Sequence, residues 1–125
     1  MSTDGARILA VEDDRGIATM LDRGLRVAGH AVTVVGGVEE ARAEWVAGRF
    51  DVVLLDVMLP DGDGIELLAE RRAAGDDVPA VLLTAREEAE LHDRADRAGA
   101  TAYLPKPFAY ADLLTLIDRV RGTGR

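Results

Sequence analysis

The 125-residue chain contains no cysteine, few aromatic residues (4%) and one lysine among the 15 basic residues. The absence of cysteine excludes disulfides, thiolate zinc sites and cysteine nucleophiles. No apolar run approaches the ~20 residues that span a bilayer, and residues 1–5 lack the basic and apolar stretches of a signal peptide. We therefore expect a cytoplasmic protein.

The charge balance of the chain is acidic. There are 23 acidic and 15 basic residues, giving a formal net charge of −8. This excess disfavours direct nucleic-acid binding and docking on an anionic membrane, since both need a cationic surface. Hydrophobic residues make up 48%, which is enough for a sizeable core. We expect one domain over residues 1–125, with a core at about 6–121 and a tail at 122–125.

Short apolar runs alternate with amphipathic stretches along the chain. The pattern predicts strands at 8–11, 31–35, 52–55, 80–83 and 101–104, and helices at 15–28, 38–47, about 65–74, 87–98 and 108–121. Strands that are each followed by a helix predict a doubly wound α/β domain with a parallel sheet. In such sheets, ligands bind beyond the carboxyl ends of the strands.

Acidic residues stand at two of these strand ends. The first strand ends in Glu12, Asp13 and Asp14, and the third ends in Asp56. Crowded carboxylates need a cation, and the hard oxygens of Asp13 and Asp56 suit Mg²⁺, which Glu12 could reach through a water. The alternative for the acids after the first strand is that they only cap the next helix, as we expect for Asp14.

A hydroxyl and an ammonium group follow the last two strands. Beside a divalent cation, the carboxylate of Asp56 can attack phosphorus and become an acyl phosphate. Thr84 can hydrogen-bond a phosphoryl oxygen, although a lone threonine at a strand end is more often structural. Lys106, the single lysine, can pair with the same group as a point charge.

Five segments together resemble the receiver domain of two-component response regulators. They are residues 8–14 (ILAVEDD), 53–60 (VLLDVMLP), 63–64 (DG), 83–85 (LTA) and 103–108 (YLPKPF). The resemblance extends over about residues 6–121. It implies a flavodoxin-like sheet of strand order 2-1-3-4-5 and a signalling switch rather than an enzyme.

The resemblance also implies roles for the acidic residues. Asp56 would accept a phosphoryl group from a sensor histidine kinase, and the domain would promote its own phosphorylation and dephosphorylation there. Asp13, Asp56 and the Met58 carbonyl would bind Mg²⁺, with Glu12 helping through a water.

Further implied roles concern the phosphoryl group and the signal. Thr84 and Lys106 would contact the phosphoryl group, and Tyr103 would couple the site to the surface of helix 4, strand 5 and helix 5. Met58 and Arg86 would flank the phosphoryl group and set its lifetime.

Met58 and residues 84–86 (TAR) are similar to the winged-helix transcription factors of the OmpR/PhoB group. That similarity implies an output in transcription and a homodimer through helix 4, strand 5 and helix 5. The chain departs from the group at Thr101 and Ala102, where the group usually carries two aspartates. The remaining candidates for charge pairs across such an interface are Arg94, Arg97, Asp112 and Arg119.

Two other functions compete with the phosphoacceptor switch. Phosphohydrolases of the haloacid dehalogenase type also form an aspartyl phosphate, but they need a second aspartate where this chain has Met58. An inactive, receiver-like scaffold would lack part of the acid, threonine or lysine set, and none is missing.

Other motifs have simpler interpretations. Residues 61–64 (DGDG) hint at a calcium loop, but Leu59 replaces a required acid, so we predict a turn leading to a helix. We expect His30 to be exposed to solvent and Trp45 to pack in or near the core.

Overall fold

The computed structural model describes residues 5–85 and 89–123. Strands and helices alternate through these residues. The strands of the main sheet are β1 (Arg7–Val11), β2 (Ala31–Val35), β3 (Val52–Asp56), β4 (Ala80–Thr84) and β5 (Ala102–Pro105). The helices are α1 (Arg15–Val27), α2 (Val38–Ala47), α3 (Gly64–Ala73), α4 (Ala89–Ala98) and α5 (Tyr110–Thr123).

All neighbouring strands of the sheet are parallel, in the order β2-β1-β3-β4-β5. This confirms the predicted fold class and strand order. After β1 the chain continues to β2 on one side, and the later strands β3, β4 and β5 lie on the other side. A crevice therefore forms at the carboxyl ends of β1 and β3. None of the helices in the described part of the chain is long and apolar enough to cross a membrane.

The structure differs from the predicted elements after β3 and at the end of the last helix. A short antiparallel hairpin, formed by Met58–Leu59 and Gly62–Asp63, follows β3 where a plain loop was predicted. Helix α5 extends to Thr123 and so includes the first two residues of the predicted tail. The predicted start of the fourth helix lies outside the described residues.

Each face of the sheet has its own apolar core, because successive side chains of a strand point to opposite faces. In β3, Val53 and Leu55 face the core beneath α2, α3 and α4. Val52 and Leu54 face the core beneath α1 and α5. The helices on both faces leave the carboxyl ends of the strands as the open edge of the central sheet.

The hairpin after β3 also supplies caps for two helices. Asp61 accepts hydrogen bonds from the amides of Val38 (2.7 Å) and Glu39 (3.1 Å) at the start of α2. Asp63 accepts one from the amide of Ile65 (2.7 Å) at the start of α3. These bonds satisfy amides that have no partner within their own helices. The DGDG segment leads to a helix, as predicted, but Gly62 and Asp63 form the second strand of the hairpin rather than a plain turn.

His30 differs from its prediction. Its side chain is half-buried, and its Nδ1 accepts a hydrogen bond from the amide of Ala6 at 2.9 Å. Burial, followed by the charge of Arg121, lowers the pKa of His30. The prediction of a solvent-exposed histidine is wrong, because this side chain is hydrogen-bonded to the backbone directly before β1.

Gly64 is the point where α3 meets the end of β3. A Cβ atom at this position would lie 2.1 Å from the carbonyl oxygen of Asp56. The amide of Gly64 donates a hydrogen bond to the carbonyl of Val57 at 2.7 Å. Only a residue without a side chain allows this approach, so Gly64 fixes the distance between α3 and the end of β3.

We expect Gly64→Ala to destabilise the fold by about 2 kcal/mol or more, because the clash is with backbone and cannot be relieved by a rotamer change. Urea unfolding measures this effect. Gly36→Ala is the matched control, since a Cβ there would lie 3.9 Å from its nearest neighbour. Equal stability of the two variants would contradict the assignment.

Candidate functional site

The carboxyl ends of four neighbouring strands carry the polar residues that the sequence singled out. Val11 pairs with Leu55, so the residues that follow in register, Glu12 and Asp56, lie side by side. On the far side of β3, Thr84 at the end of β4 pairs with Pro105 in β5. The polar side chains that end or follow β1, β3, β4 and β5 therefore lie at one edge of the sheet.

Three acidic side chains form a cluster at this edge. Carboxylate oxygens of Glu12, Asp13 and Asp56 all lie within 4.8 Å of one another. Glu12 is 2% exposed and Asp56 is 7% exposed, whereas Asp13 is exposed to solvent. The structure therefore brings the predicted acidic residues together, with one of them open to an incoming ligand.

Lys106 enters the cluster from the end of β5. Its Nζ lies 2.7 Å from Oε1 of Glu12 and 3.2 Å from Oδ2 of Asp56, and its side chain is 15% exposed. Burial alone would lower the pKa of Lys106, but the bonds and charges of the two carboxylates raise it overall. Lys106 is therefore a charged ammonium group held between two acids.

The electrostatics of Asp56 reflect this crowding. Burial and, after it, the charge of Glu12 outweigh the opposing effect of Lys106 and raise the pKa of Asp56 to about 6. Three carboxylates face one ammonium group, which leaves an excess of negative charge. The donors are all hard oxygens, so the cluster fits a divalent cation of the Mg²⁺ or Ca²⁺ type.

Glu12 has a role that sequence reasoning missed. One of its oxygens pairs with Lys106, and the other accepts a hydrogen bond from the amide of Asp14 at 3.0 Å. Its carboxylate is therefore oriented from two sides and is the nearest partner of Lys106. Asp14 accepts a hydrogen bond from the amide of Ile17 at 2.9 Å and caps α1, as predicted.

The remaining predicted residues surround the cluster. Thr84 is buried, and its carbonyl accepts a hydrogen bond from the amide of Lys106 at 2.7 Å. Met58 lies in the hairpin directly after β3, and the residue is 66% exposed. Arg86 lies outside the described residues.

Tyr103 in β5 lies against α4. Its ring stacks on His92 with a centroid separation of 4.3 Å and an interplanar angle of 12°, and its hydroxyl donates a hydrogen bond to Asp96. His92 and Asp96 are four residues apart and share one face of α4, a spacing that could have indicated their common partner. Sequence reasoning missed both contacts.

The candidate interface residues have different surroundings. Arg94 forms an ion pair with Asp63, at 2.7 Å, within the chain. Arg97, Asp112 and Arg119 are exposed.

Trp45 is buried in the core, as predicted. Its Nε1 donates a hydrogen bond to Asp76 at 2.9 Å. Beside it, an open cleft of about 570 Å³ is lined mainly by residues that precede β3 and β4. This cleft is at the opposite edge of the sheet from the acidic cluster.

We expect Asp56→Asn to raise the stability of the metal-free protein at pH 7 by about 1 to 2 kcal/mol, because the folded state holds the charged carboxylate unfavourably. Lys106 keeps Glu12 as a partner in this variant. The gain should shrink as the pH falls through the folded pKa of about 6, and vanish below the ordinary value of 3.8.

Urea unfolding in EDTA between pH 3 and 8 measures this gain. Asp93→Asn, which removes an exposed carboxylate from α4, is the control and should leave stability nearly unchanged. A loss of stability in Asp56→Asn at pH 7 would contradict the charge balance described for the cluster.

Comparison with known proteins agrees with this geometry. The chain is 42% identical over 111 residues to the response regulator MprA of Mycobacterium leprae, covering 89% of this chain and 49% of the relative. It is 40% identical over 113 residues to the swarming motility regulation protein RssB of Serratia marcescens, covering 90% and 52%. The chain therefore spans about half the length of these relatives.

The fold is also shared with a solved structure. The chemotaxis protein CheY4 of Vibrio cholerae superimposes with a TM-score of 0.88 at 33% identity, covering 94% of this chain and 99% of that one. The model of the response regulator receiver domain family matches residues 8–118. Together with the parallel sheet and the acidic cluster at its edge, this match shows that the chain belongs to the response regulator receiver domain family.

Proposed function

We propose that this domain is a phosphoacceptor switch, in which Asp56 receives a phosphoryl group from a sensor histidine kinase in a Mg²⁺-dependent reaction. The observation that carries the proposal is the placement of Asp56. Its carboxylate ends a buried strand, lies within 4.8 Å of two other carboxylates and is 3.2 Å from the ammonium group of Lys106. This arrangement combines a nucleophile, a cation site and a fixed positive charge.

The chemistry follows from these groups. An oxygen of Asp56 attacks the phosphorus while the bond from phosphorus to the kinase imidazole nitrogen breaks, which yields an acyl phosphate. Asp13, Asp56 and the Met58 carbonyl would hold Mg²⁺, and Glu12 would assist through a water. Bound there, Mg²⁺ supplies charge neutralisation for the transferred group.

The neighbouring residues then handle the product. Lys106 and Thr84 contact the phosphoryl oxygens, and their displacement reaches Tyr103 through the ends of β4 and β5. A phosphoryl group adds about −1.5 to −2 charge and three acceptor oxygens, which is enough to shift the balance between two packings. Met58 would shield the acyl phosphate from water and set its lifetime, as would Arg86, which lies outside the described residues.

The output and partners follow from the family resemblance. The changed surface of α4, β5 and α5 would form a homodimer and control transcription, as the similarity of Met58 and residues 84–86 to the winged-helix group suggests. The domain itself would act in the cytoplasm and bind neither nucleic acid nor membrane, in keeping with its net charge of −8.

We expect the wild-type domain to gain one phosphoryl group when incubated with acetyl phosphate and Mg²⁺, as measured by intact mass. Asp56→Asn should gain none, and Asp13→Ala should gain far less because a cation ligand is lost. Asp51→Asn is the control, since Asp51 lies before β3 and accepts a hydrogen bond from the amide of Arg7. An unmodified wild type, or equal modification of Asp56→Asn, would refute the proposal.

We expect Lys106→Arg to accept phosphate from the same small donor but to transmit the signal poorly. The ammonium group of Lys106 fits between two carboxylates, whereas guanidinium is wider, planar and differently placed. Amide NMR shifts around Thr84 and Tyr103, with and without phosphorylation, measure the transmission. The control is Arg97→Lys on exposed α4 surface, and a full wild-type shift pattern in Lys106→Arg would show that only charge matters.

A further inference from the structure

Helix α4 is attached to the molecule by little apolar surface. Of its side chains that the structure describes, the buried ones are Leu91, Ala95 and Ala98, and two of these carry only a methyl group. Apolar contact stabilises in proportion to the area removed from water. The position of α4 therefore depends also on its polar contacts and on the stacking of His92 against Tyr103.

Polar contacts join α4 to α3 at two levels. Arg94 contacts Asp63 at 2.7 Å, and Asp63 lies directly before α3 in the hairpin that follows β3. At the other end, Arg72 of α3 donates two hydrogen bonds, of 3.1 and 2.9 Å, to the carbonyl of Gly99 just after α4. The first of these contacts connects α4 to the segment that contains the site.

Asp63 links three parts of the structure. One carboxylate oxygen caps α3 at the amide of Ile65, and the other accepts from Arg94. Its backbone pairs directly with Met58 across the hairpin. The next residue, Gly64, is fixed to the carbonyl of Val57. A displacement of Asp63 must therefore be shared by Met58, two residues after the phosphoacceptor.

We propose that the ion pair between Arg94 and Asp63 is a positioning element of the cation site, and that it couples cation binding to α4 through the hairpin. This route is separate from the one through Thr84 and Tyr103. It rests on the proposed function, since the Met58 carbonyl is a ligand only if the cation binds as proposed. By thermodynamic linkage, an ion pair that strengthens cation binding is itself stabilised by the bound cation to the same extent. The bound cation therefore also restrains α4.

The exposure of the two side chains to solvent limits the strength of the coupling between the ion pair and cation binding. The side chains of Arg94 and Asp63 are 40% and 30% exposed, so solvent screens their attraction. Ion pairs of this kind contribute up to about a fivefold change in an equilibrium constant. We therefore expect loss of the pair to weaken Mg²⁺ binding about two- to fivefold.

The test is isothermal titration of Mg²⁺ into the wild type, Arg94→Gln, Asp63→Asn and the double variant. Asparagine keeps an oxygen that can cap α3. Both single variants should bind more weakly, and the double variant no more weakly than the weaker single variant. The two substitutions change the net charge in opposite directions, so a purely Coulombic effect would move their affinities apart.

The matched control is Arg97→Gln, which removes an exposed positive charge from the same helix. It should bind Mg²⁺ as tightly as the wild type, or slightly more tightly. Arg94→Lys should recover part of the affinity, because it restores the charge opposite Asp63. In the wild type, Mg²⁺ should also shift the amide signals of α4, and Asp63→Asn should suppress that response.

Wild-type affinity in both single variants, or affinities that change in opposite directions, would overturn the coupling. Failure of the wild type to bind Mg²⁺ or accept phosphate would instead refute the proposed function. Urea unfolding of each variant verifies that the fold is retained, and a change in Mg²⁺ affinity at unchanged stability supports a positioning role.

Discussion

One ammonium group between two buried carboxylates is the contact on which the site depends. Buried acids cost several kcal/mol each unless a cation opposes them, so Lys106 lowers the cost of placing Glu12 and Asp56 at the ends of adjacent strands. β5 is not a neighbour of β3, because β4 lies between them. The lysine must therefore cross the end of β4, which carries the small residue Thr84, and its flexible four-carbon stem suits that crossing.

The sheet and the acidic edge could be predicted because they depend on local patterns. Apolar runs such as 52–55 are too short for helices and are apolar on both faces, which is typical of buried parallel strands. Once the strands are parallel, residues that follow them must meet at one edge. The sequence therefore predicts that Asp13, Asp56 and Lys106 meet at one edge of the sheet.

The contacts that the sequence did not predict join side chains across distant elements. Asp61 caps α2 from the hairpin, more than twenty residues later in the chain, and no local capping pattern indicates such a bond. The pairing of Glu12 with Lys106 depends on how far β5 extends beyond β4. The stacking of His92 on Tyr103 depends on the rotation of α4 about its own axis. Such details are set by tertiary packing, which a single sequence does not encode in any short motif.

The hairpin after β3 has a consequence for protein engineering. A surface loop of this length normally tolerates insertions. Here, however, the segment at 58–64 caps α2 through Asp61, caps α3 through Asp63 and holds α4 through Arg94. A reporter domain inserted at Gly62 would disturb three helices at once. The turn at Gly75, which is exposed and follows α3, makes none of these three contacts and is the better place to open the chain.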